Sequence, residues 1–428
     1  MKADDSSPDR RLMSVDALRG FDMFWIIGGD SIVYALNQMS QTPPVAFLDH
    51  QLQHCEWAGF HAYDLIYPLF VFIMGVSMCF SIGRTLERHG RAEAAKRILI
   101  RSAALFLAGI FFNGGFTNDW PAIRLSGVLS RIALVYLLGG LLFCFFKPRA
   151  LAAICAGLLV GYWALMTFVP IRDIQIEQKN LARLAEQSGD TTTAALFNDP
   201  QFGNPSAVKD SPVMAAAHRM YDATTTRTSG KFLPGLNLSD HLDFLYLPGS
   251  KYEVFAEAEG ILSTFPAVAT CLLGAFAGFL LQSRVVPDQK KIVWLVAAGI
   301  TCVALGWLWN LQFPVIKKIW TSSFVLVAGG YSAMLLGFFY WLVDVRQQRT
   351  WCQPFVWMGM NSITIYLTSA VLGGFRKPAL RLVGGDVKDF FDAHLVHGAG
   401  DLLVTIVGLL LAFWLMRFMY ERKIFLRL

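Results

Sequence analysis

His54 lies at the edge of a long apolar run, in the stretch His54-Cys55-Glu56-Trp57-Ala58-Gly59. A histidine beside a carboxylate is a common way to move a proton near neutral pH. Carboxylates are at hand, because the first apolar stretch carries Asp16, Asp22 and Asp30 with Arg19 between them. Ionisable groups inside a membrane span are costly and are functional candidates by default. At 1.5 Å per residue, Asp16 and Asp30 are roughly 21 Å apart along a helix, which puts Asp30 at about the depth of His54. Gly28 and Gly29 before it leave room for a ligand or a neighbouring helix. Asp16 and Arg19 are spaced to pair on one helix face. The plainer readings are a solvated interfacial His54 and a structural hydrogen bond at Asp30.

His50 and His61 compete with His54, but their spacing does not by itself converge ligands on a metal, and none is expected. Asp64 follows, then Tyr67-Pro68, where the proline would free a carbonyl in mid-helix. Arg124 and Arg131 could anchor an anion or pair with Asp64 or Asp30. Glu259 and Asn361 are candidates for holding a substrate, with packing or capping as their alternative. Asp240-His241-Leu242-Asp243 reads as turn chemistry that could also face a ligand.

The elements that must position these residues are apolar helices. Of the 428 residues, 55% are hydrophobic and only 16% charged, and the mean hydropathy is +0.46. A soluble domain carries roughly a quarter charged residues. Runs of about 20 apolar residues fall at 17–38, 58–82, 97–115, 124–146, 150–170, 258–282, 292–312, 322–344, 354–373 and 400–420. The expected fold is therefore all-α, a single polytopic domain (1–428) of about ten transmembrane helices. Lys2, Arg10, Arg11, Arg84, Arg88, Arg91, Lys96, Arg97, Lys147, Arg149, Arg284, Lys290, Lys291, Arg346, Arg349, Arg422, Lys423 and Arg427 all fall on one face. The positive-inside rule makes that face, and both termini, cytoplasmic. The net charge of +6 thus reports orientation and not a nucleic-acid partner. Segment 171–257 is long and polar, with an aromatic-rich second half, so it reads as a packed cap on the exported side. The seven cysteines form no CxxC motif, and the polar N-terminal stretch lacks a small-residue cleavage site. No internal repeat stands out, which weighs against an inverted-repeat transporter.

SVDALRG (14–20), His54-x-x-Trp57-x-Gly59, DLIYPLFVFIMG (64–75), RLSGVLSRIALVY (124–136), EGILSTFPAVATCLLGAFAG (259–278), GMNSITIY (359–366) and YERKIFLRL (420–428) occur in that order. Together they resemble the transmembrane acyltransferases typified by heparan-α-glucosaminide N-acetyltransferase, and most closely a bacterial branch placed in the inner membrane. The resemblance implies that acetyl-CoA from the cytoplasm supplies an acetyl group to the amine of a glucosamine-type sugar across the membrane. It implies that His54 is catalytic. Asp30 aligns with the family's asparagine, a departure that puts a carboxylate where an amide is usual. Glu257-Ala258-Glu259-Gly260 departs from an Asp-Pro-Glu-Gly pattern, so only Glu259 and Gly260 carry over.

The expected mechanism has His54 as the base, Asp30 fixing its tautomer, and Arg19, Arg97, Arg101, Arg422 and Lys423 meeting the CoA phosphates. Glu259, Asp240, Asn361 and Arg124 meet the sugar under the cap. Direct transfer and an acetyl-histidine intermediate are both open. An amino-sugar or glycan permease is the rival class, and an assembly role a third. A homodimer is the expected assembly on symmetry grounds alone.

Overall fold

The computed structural model describes residues 12–115, 122–199 and 211–425. Lys2, Arg10, Arg11 and Arg427 of the charge argument lie outside them. The described chain is helical apart from one two-residue antiparallel pair, Ile171–Arg172 with Arg227–Thr228. Among the described residues, seven helices are long and apolar enough to cross a membrane, or eight if a bent pair counts as one span. The chain is a multi-pass membrane protein, and it divides into two compact units interleaved in sequence.

The first unit comprises residues 1–53, 280–300 and 331–427. Its helices include α1 (Met13–Phe24), α2 (Asp30–Ser40) and α3 (Pro43–Gln51). The expected span 17–38 is divided: Gly28 takes φ 121°, a conformation glycine adopts freely, and the helix widens over Trp25–Gly29 before α2 begins. Asp16, Arg19, Asp22 and Asp30 also keep this stretch out of the seven apolar helices. At the start of α1, the Ser14 amide donates to Asp344 Oδ2 at 3.1 Å. Further along, α1 presses against the later helix Gln353–Met360 through two glycines. A Cβ on Gly20 would lie 1.6 Å from the Phe355 carbonyl oxygen, and one on Gly359 would lie 1.9 Å from that of Asp16. Such contact between backbones is how membrane helices gain packing without a hydrophobic drive.

The second unit comprises the described residues of 54–279 and 301–330. Here α4 (Ile66–Phe112) takes in two expected spans, 58–82 and 97–115, and breaks at Gly90 with φ 79°. It starts later than expected, because residues 52–61 form an irregular loop. Pro68 therefore sits in the first turn, where its missing N–H costs nothing. Next come α5 (Val128–Phe145) and α6 (Pro148–Phe168). The segment expected as a cap contains α7 (Gln178–Gln187), α8 (Thr191–Asn198), α9 (Pro212–Ala223) and α10 (Leu238–Tyr246). It has an apolar core of its own, including Ile176, Leu181, Phe197, Met214, Phe244 and Phe255. α11 (Thr264–Gln282) then packs on the first half of α4 through Gly75 and Gly274, where an added Cβ would meet a backbone oxygen at 1.9 Å in each case.

α12 (Asp288–Trp309) and α13 (Ser322–Phe339) carry residues of both units. The remaining helices, all of the first unit, are α14 (Gln353–Met360), α15 (Ser362–Leu372), α16 (Arg376–Val383), α17 (Gly385–His394) and α18 (Ala399–Glu421). α14 and α15 are the bent pair, turning by 79° across Asn361.

Candidate active site

Asp64 organises the site. It is 1% exposed on its side chain and lies in a short turn, Ala62–Leu65, that opens α4. His61 and Asp64 cap that turn reciprocally. Asp64 Oδ2 accepts the amides of His61 at 3.1 Å and Cys55 at 3.2 Å, which folds the 55–61 loop back over it. Asp64 Oδ1 is thereby left facing His54 Nδ1 at 2.8 Å. The His54 ring is half-exposed and lies 4.8 Å from the ring of Tyr63.

Lys317 completes the group. Its Nζ is 3.3 Å from Asp64 Oδ1, and 3.0 and 3.4 Å from Nδ1 and Nε2 of His54. It arrives on the loop between α12 and α13, which is fixed at several points. The Gly59 amide donates to the Val315 carbonyl at 2.8 Å, and Ala58 bridges Ile316. Thr321 Oγ1 accepts the Ile316 amide at 3.0 Å. Trp320 takes φ 50° and is 1% exposed. A bulky residue in that conformation costs of order 1–3 kcal/mol, offset by its packing on Tyr67 and Phe324 and a 3.1 Å bond to Thr270. Burial lowers the proton affinity of Lys317, against the pull of Asp64 and Glu259.

Glu259 lies within the field of Lys317. Burial pushes its carboxyl up to about 7, and Arg124 approaches it at 3.5 Å. Arg124 grips Glu257 at two points, 3.0 and 2.7 Å. Arg131, 2% exposed, donates to Ser263 and to the Ala258 carbonyl, and its guanidinium stacks over Trp320. Asp243 accepts the Ile261 amide at 2.8 Å on one oxygen; the other has no partner among the described residues and fills the space beside Gly260. Burial raises its carboxyl to about 7. Gly260 is required here, since a Cβ would lie 1.8 Å from that oxygen.

Several expected residues fall into place and others do not. His54, Arg124 and Glu259 belong to this one unit. The carboxylate on His54 Nδ1 is that of Asp64. Asp30 opens α2 in the other unit. Asp240 is 5% exposed, and its Oδ2 accepts the Gly235 amide at 2.8 Å and Asn237 Nδ2 at 2.6 Å. It locks the turn before α10, in line with the turn reading of that run.

Asn361, in the first unit, is 1% exposed, with both amide atoms unpartnered among the described residues. Of the basic residues assigned to CoA, Arg97 and Arg101 lie past the Gly90 break, near Glu93 at 2.9 Å and the Tyr136 hydroxyl at 3.3 Å. Arg19, Arg422 and Lys423 belong to the first unit. Arg19 donates to the Gly359 carbonyl at 3.3 Å, and Arg422 stacks over Phe418.

Cys55, His61 and Asp64 have donor atoms that lie within 4.8 Å of one another. Burial and the adjoining Asp64 push the Cys55 thiol up to about 11. Together with the Lys317 ammonium on Asp64, that opposes a bound cation.

The chain matches the heparan-alpha-glucosaminide N-acetyltransferase catalytic family over residues 11–184, which hold His54 and Asp64. It is 27% identical to heparan-alpha-glucosaminide N-acetyltransferase of Homo sapiens over 97% of this chain. It is 25% identical to that of Mus musculus over 98%. The chain is thus similar to the heparan-alpha-glucosaminide N-acetyltransferases over nearly its whole length. It spans about three fifths of the length of these relatives, 59% and 61% respectively.

Two residues beside His54, Asp64 and Lys317, are not marked by the sequence pattern. Asp64 was weighed only as a partner for arginines, although its ten-residue distance from His54 allows a loop to fold back. Lys317 carries no such signal, because nothing periodic in Pro314-Val315-Ile316-Lys317 marks a pinned loop.

Proposed function

We propose that this protein is a transmembrane acetyltransferase that passes the acetyl group of acetyl-CoA to the amine of a glucosamine-type sugar. The observation that carries this is the His54 Nδ1–Asp64 Oδ1 contact of 2.8 Å, within a chain whose relatives are named as N-acetyltransferases. With Nδ1–H donated to Asp64, Nε2 keeps its lone pair for the acceptor. It takes a proton from the amine as nitrogen attacks the thioester carbonyl, and Asp64 offsets the charge that develops on the ring. A positioned general base of this kind contributes roughly 10²–10⁴-fold. CoA leaves as the thiol.

The basic face, with both termini, lies in the cytoplasm of a bacterial cell and receives acetyl-CoA; segment 171–257 covers the exported side of the inner membrane. Arg19, Arg97, Arg101, Arg422 and Lys423 are assigned to the CoA phosphates by charge. Glu259 and Arg124 are assigned to the sugar.

The test is CoA release in liposomes against a panel of amino sugars. His54→Ala, correctly folded by thermal unfolding, is expected to lose transfer to every sugar. Transfer by that variant at the parent rate overturns the reading.

A further inference from the structure

The transfer reaction as written makes no use of Lys317, yet this lysine has the relation to His54 that an acceptor amine must adopt. Its Nζ is a primary amine 3.0 and 3.4 Å from the two ring nitrogens and 3.3 Å from Asp64 Oδ1. The loop that carries it is held by the Gly59–Val315 bond, by Thr321 and by the packing of Trp320, so the amine is kept at the base. Burial favours its neutral, nucleophilic form. The adjacent Lys318 differs in every respect: it is more exposed, paired with Glu253 at 2.7 Å, and set over the Trp57 ring.

Resting on the acetyl-transfer reading, we propose that Lys317 is an internal acyl acceptor that silences the site when acetyl-CoA is present and no sugar is. The neutral Nζ attacks the thioester carbonyl, forming a C–N bond as the C–S bond breaks. His54 Nε2 takes the proton lost from nitrogen and returns it to the departing sulfur, so CoA leaves as the thiol and no further reactant is needed. The product is an amide, which does not pass its acetyl group on. It also carries no charge, so the ion pair with Asp64 is lost. Asp64 is the brake on this side reaction, because its charge favours the ammonium form of the lysine. A sugar amine in the pocket competes for the same acetyl group and protects the enzyme.

The full-length protein in liposomes is incubated with carbonyl-¹³C acetyl-CoA without sugar, and its peptides are mapped by mass over time. The expected result is one acetyl group at Lys317, stable to hydroxylamine, absent from Lys318, and rising in step with the loss of sugar acetylation assayed afterwards. Amino sugar added at the start is expected to slow labelling. His54→Ala should take at least tenfold less label, and K317R should keep whatever activity it has through the same preincubation.

Sugar turnover with no label at Lys317 overturns the inference and leaves the transferase reading standing. Neither turnover nor label overturns both. Equal labelling of Lys317 and Lys318, or undiminished labelling in His54→Ala, shows plain chemical acetylation and also overturns the inference. A hydroxylamine-labile acetyl group on His54 in place of Lys317 does the same.

Discussion

Asp64→Asn tests the site most sharply, because it keeps the shape and changes only what the side chain can accept. In the parent, one carboxylate oxygen receives two backbone amides, from Cys55 and His61, at 3.2 and 3.1 Å, and the other faces His54 Nδ1 at 2.8 Å. An asparagine must place its single oxygen toward the two amides, since an NH₂ there would meet two donors. Its NH₂ then points at Nδ1 and at the Lys317 ammonium. A donor against Nδ1 forces that nitrogen to accept, which moves the ring proton to Nε2. The lone pair that should receive the amine proton is gone. The loss is that of the general base, roughly 10²–10⁴-fold in kcat, or about 2.7–5.4 kcal/mol of transition-state stabilisation at 1.36 kcal/mol per decade. KM for the sugar should hold within about threefold, because the change does not touch the sugar-binding groups. The assay is continuous CoA release with a thiol-reactive dye at saturating acetyl-CoA. A D64N enzyme that folds and turns over within threefold of the parent refutes the tautomer argument.

Three other predictions concern the frame. Asp243 and Glu259 keep protons to about pH 7 in the folded chain but release them near pH 4 when unfolded. The folded state therefore binds more protons between those values, and stability falls as pH rises from about 4 to about 7. His241, lowered to about 4 by burial, works the other way between about 4 and 6.5. Asp243→Asn should remove the Asp243 share, at most about 4 kcal/mol by 1.36 kcal/mol per pH unit. It is read as a flatter melting temperature across pH 4–7, and an unchanged slope counts against the assignment. Arg124→Ala leaves Glu257 buried without its two-point partner and should cost about 3–5 kcal/mol, measured by thermal unfolding in detergent. Gly20→Ala places a methyl 1.6 Å from a backbone oxygen and should prevent folding of the α1–α14 pair. Gly83→Ala, with nothing within 4 Å, should be neutral or stabilise by about 1 kcal/mol; equal losses for the two would overturn the close-packing argument.

The apolar runs were legible because twenty lipid-compatible residues admit only a helix, and the helices of α4–α6, α11–α13 and α18 lie where those runs predicted. Their starts and breaks were less legible. Gly28 and Gly90 divide helices by taking positive φ, which hydropathy does not register. The start of α4 at Ile66 depends on Asp64 gathering the amides of Cys55 and His61, a tertiary choice invisible in composition. His54 was found from its position and neighbours. Its real partners were missed for opposite reasons: Asp64 is too local to look special, and Lys317 too distant in sequence for spacing to suggest contact. Asp240 takes up the turn role that its run allowed, with Gly235 and Asn237 both donating to one of its oxygens.

The contact between Lys317 and the His54–Asp64 pair closes a stretch of about 250 residues. Chains are made at roughly 5–20 residues per second, so the histidine and its carboxylate exist for on the order of 10–50 s before the lysine has been synthesised. In that interval the proton-handling residues are already in the chain, while the amine that we read as their internal rival is still to come. A chain halted before residue 317 would hold the pair without its lysine, so the ribosome sets the order in which the machinery and its restraint are delivered to the membrane.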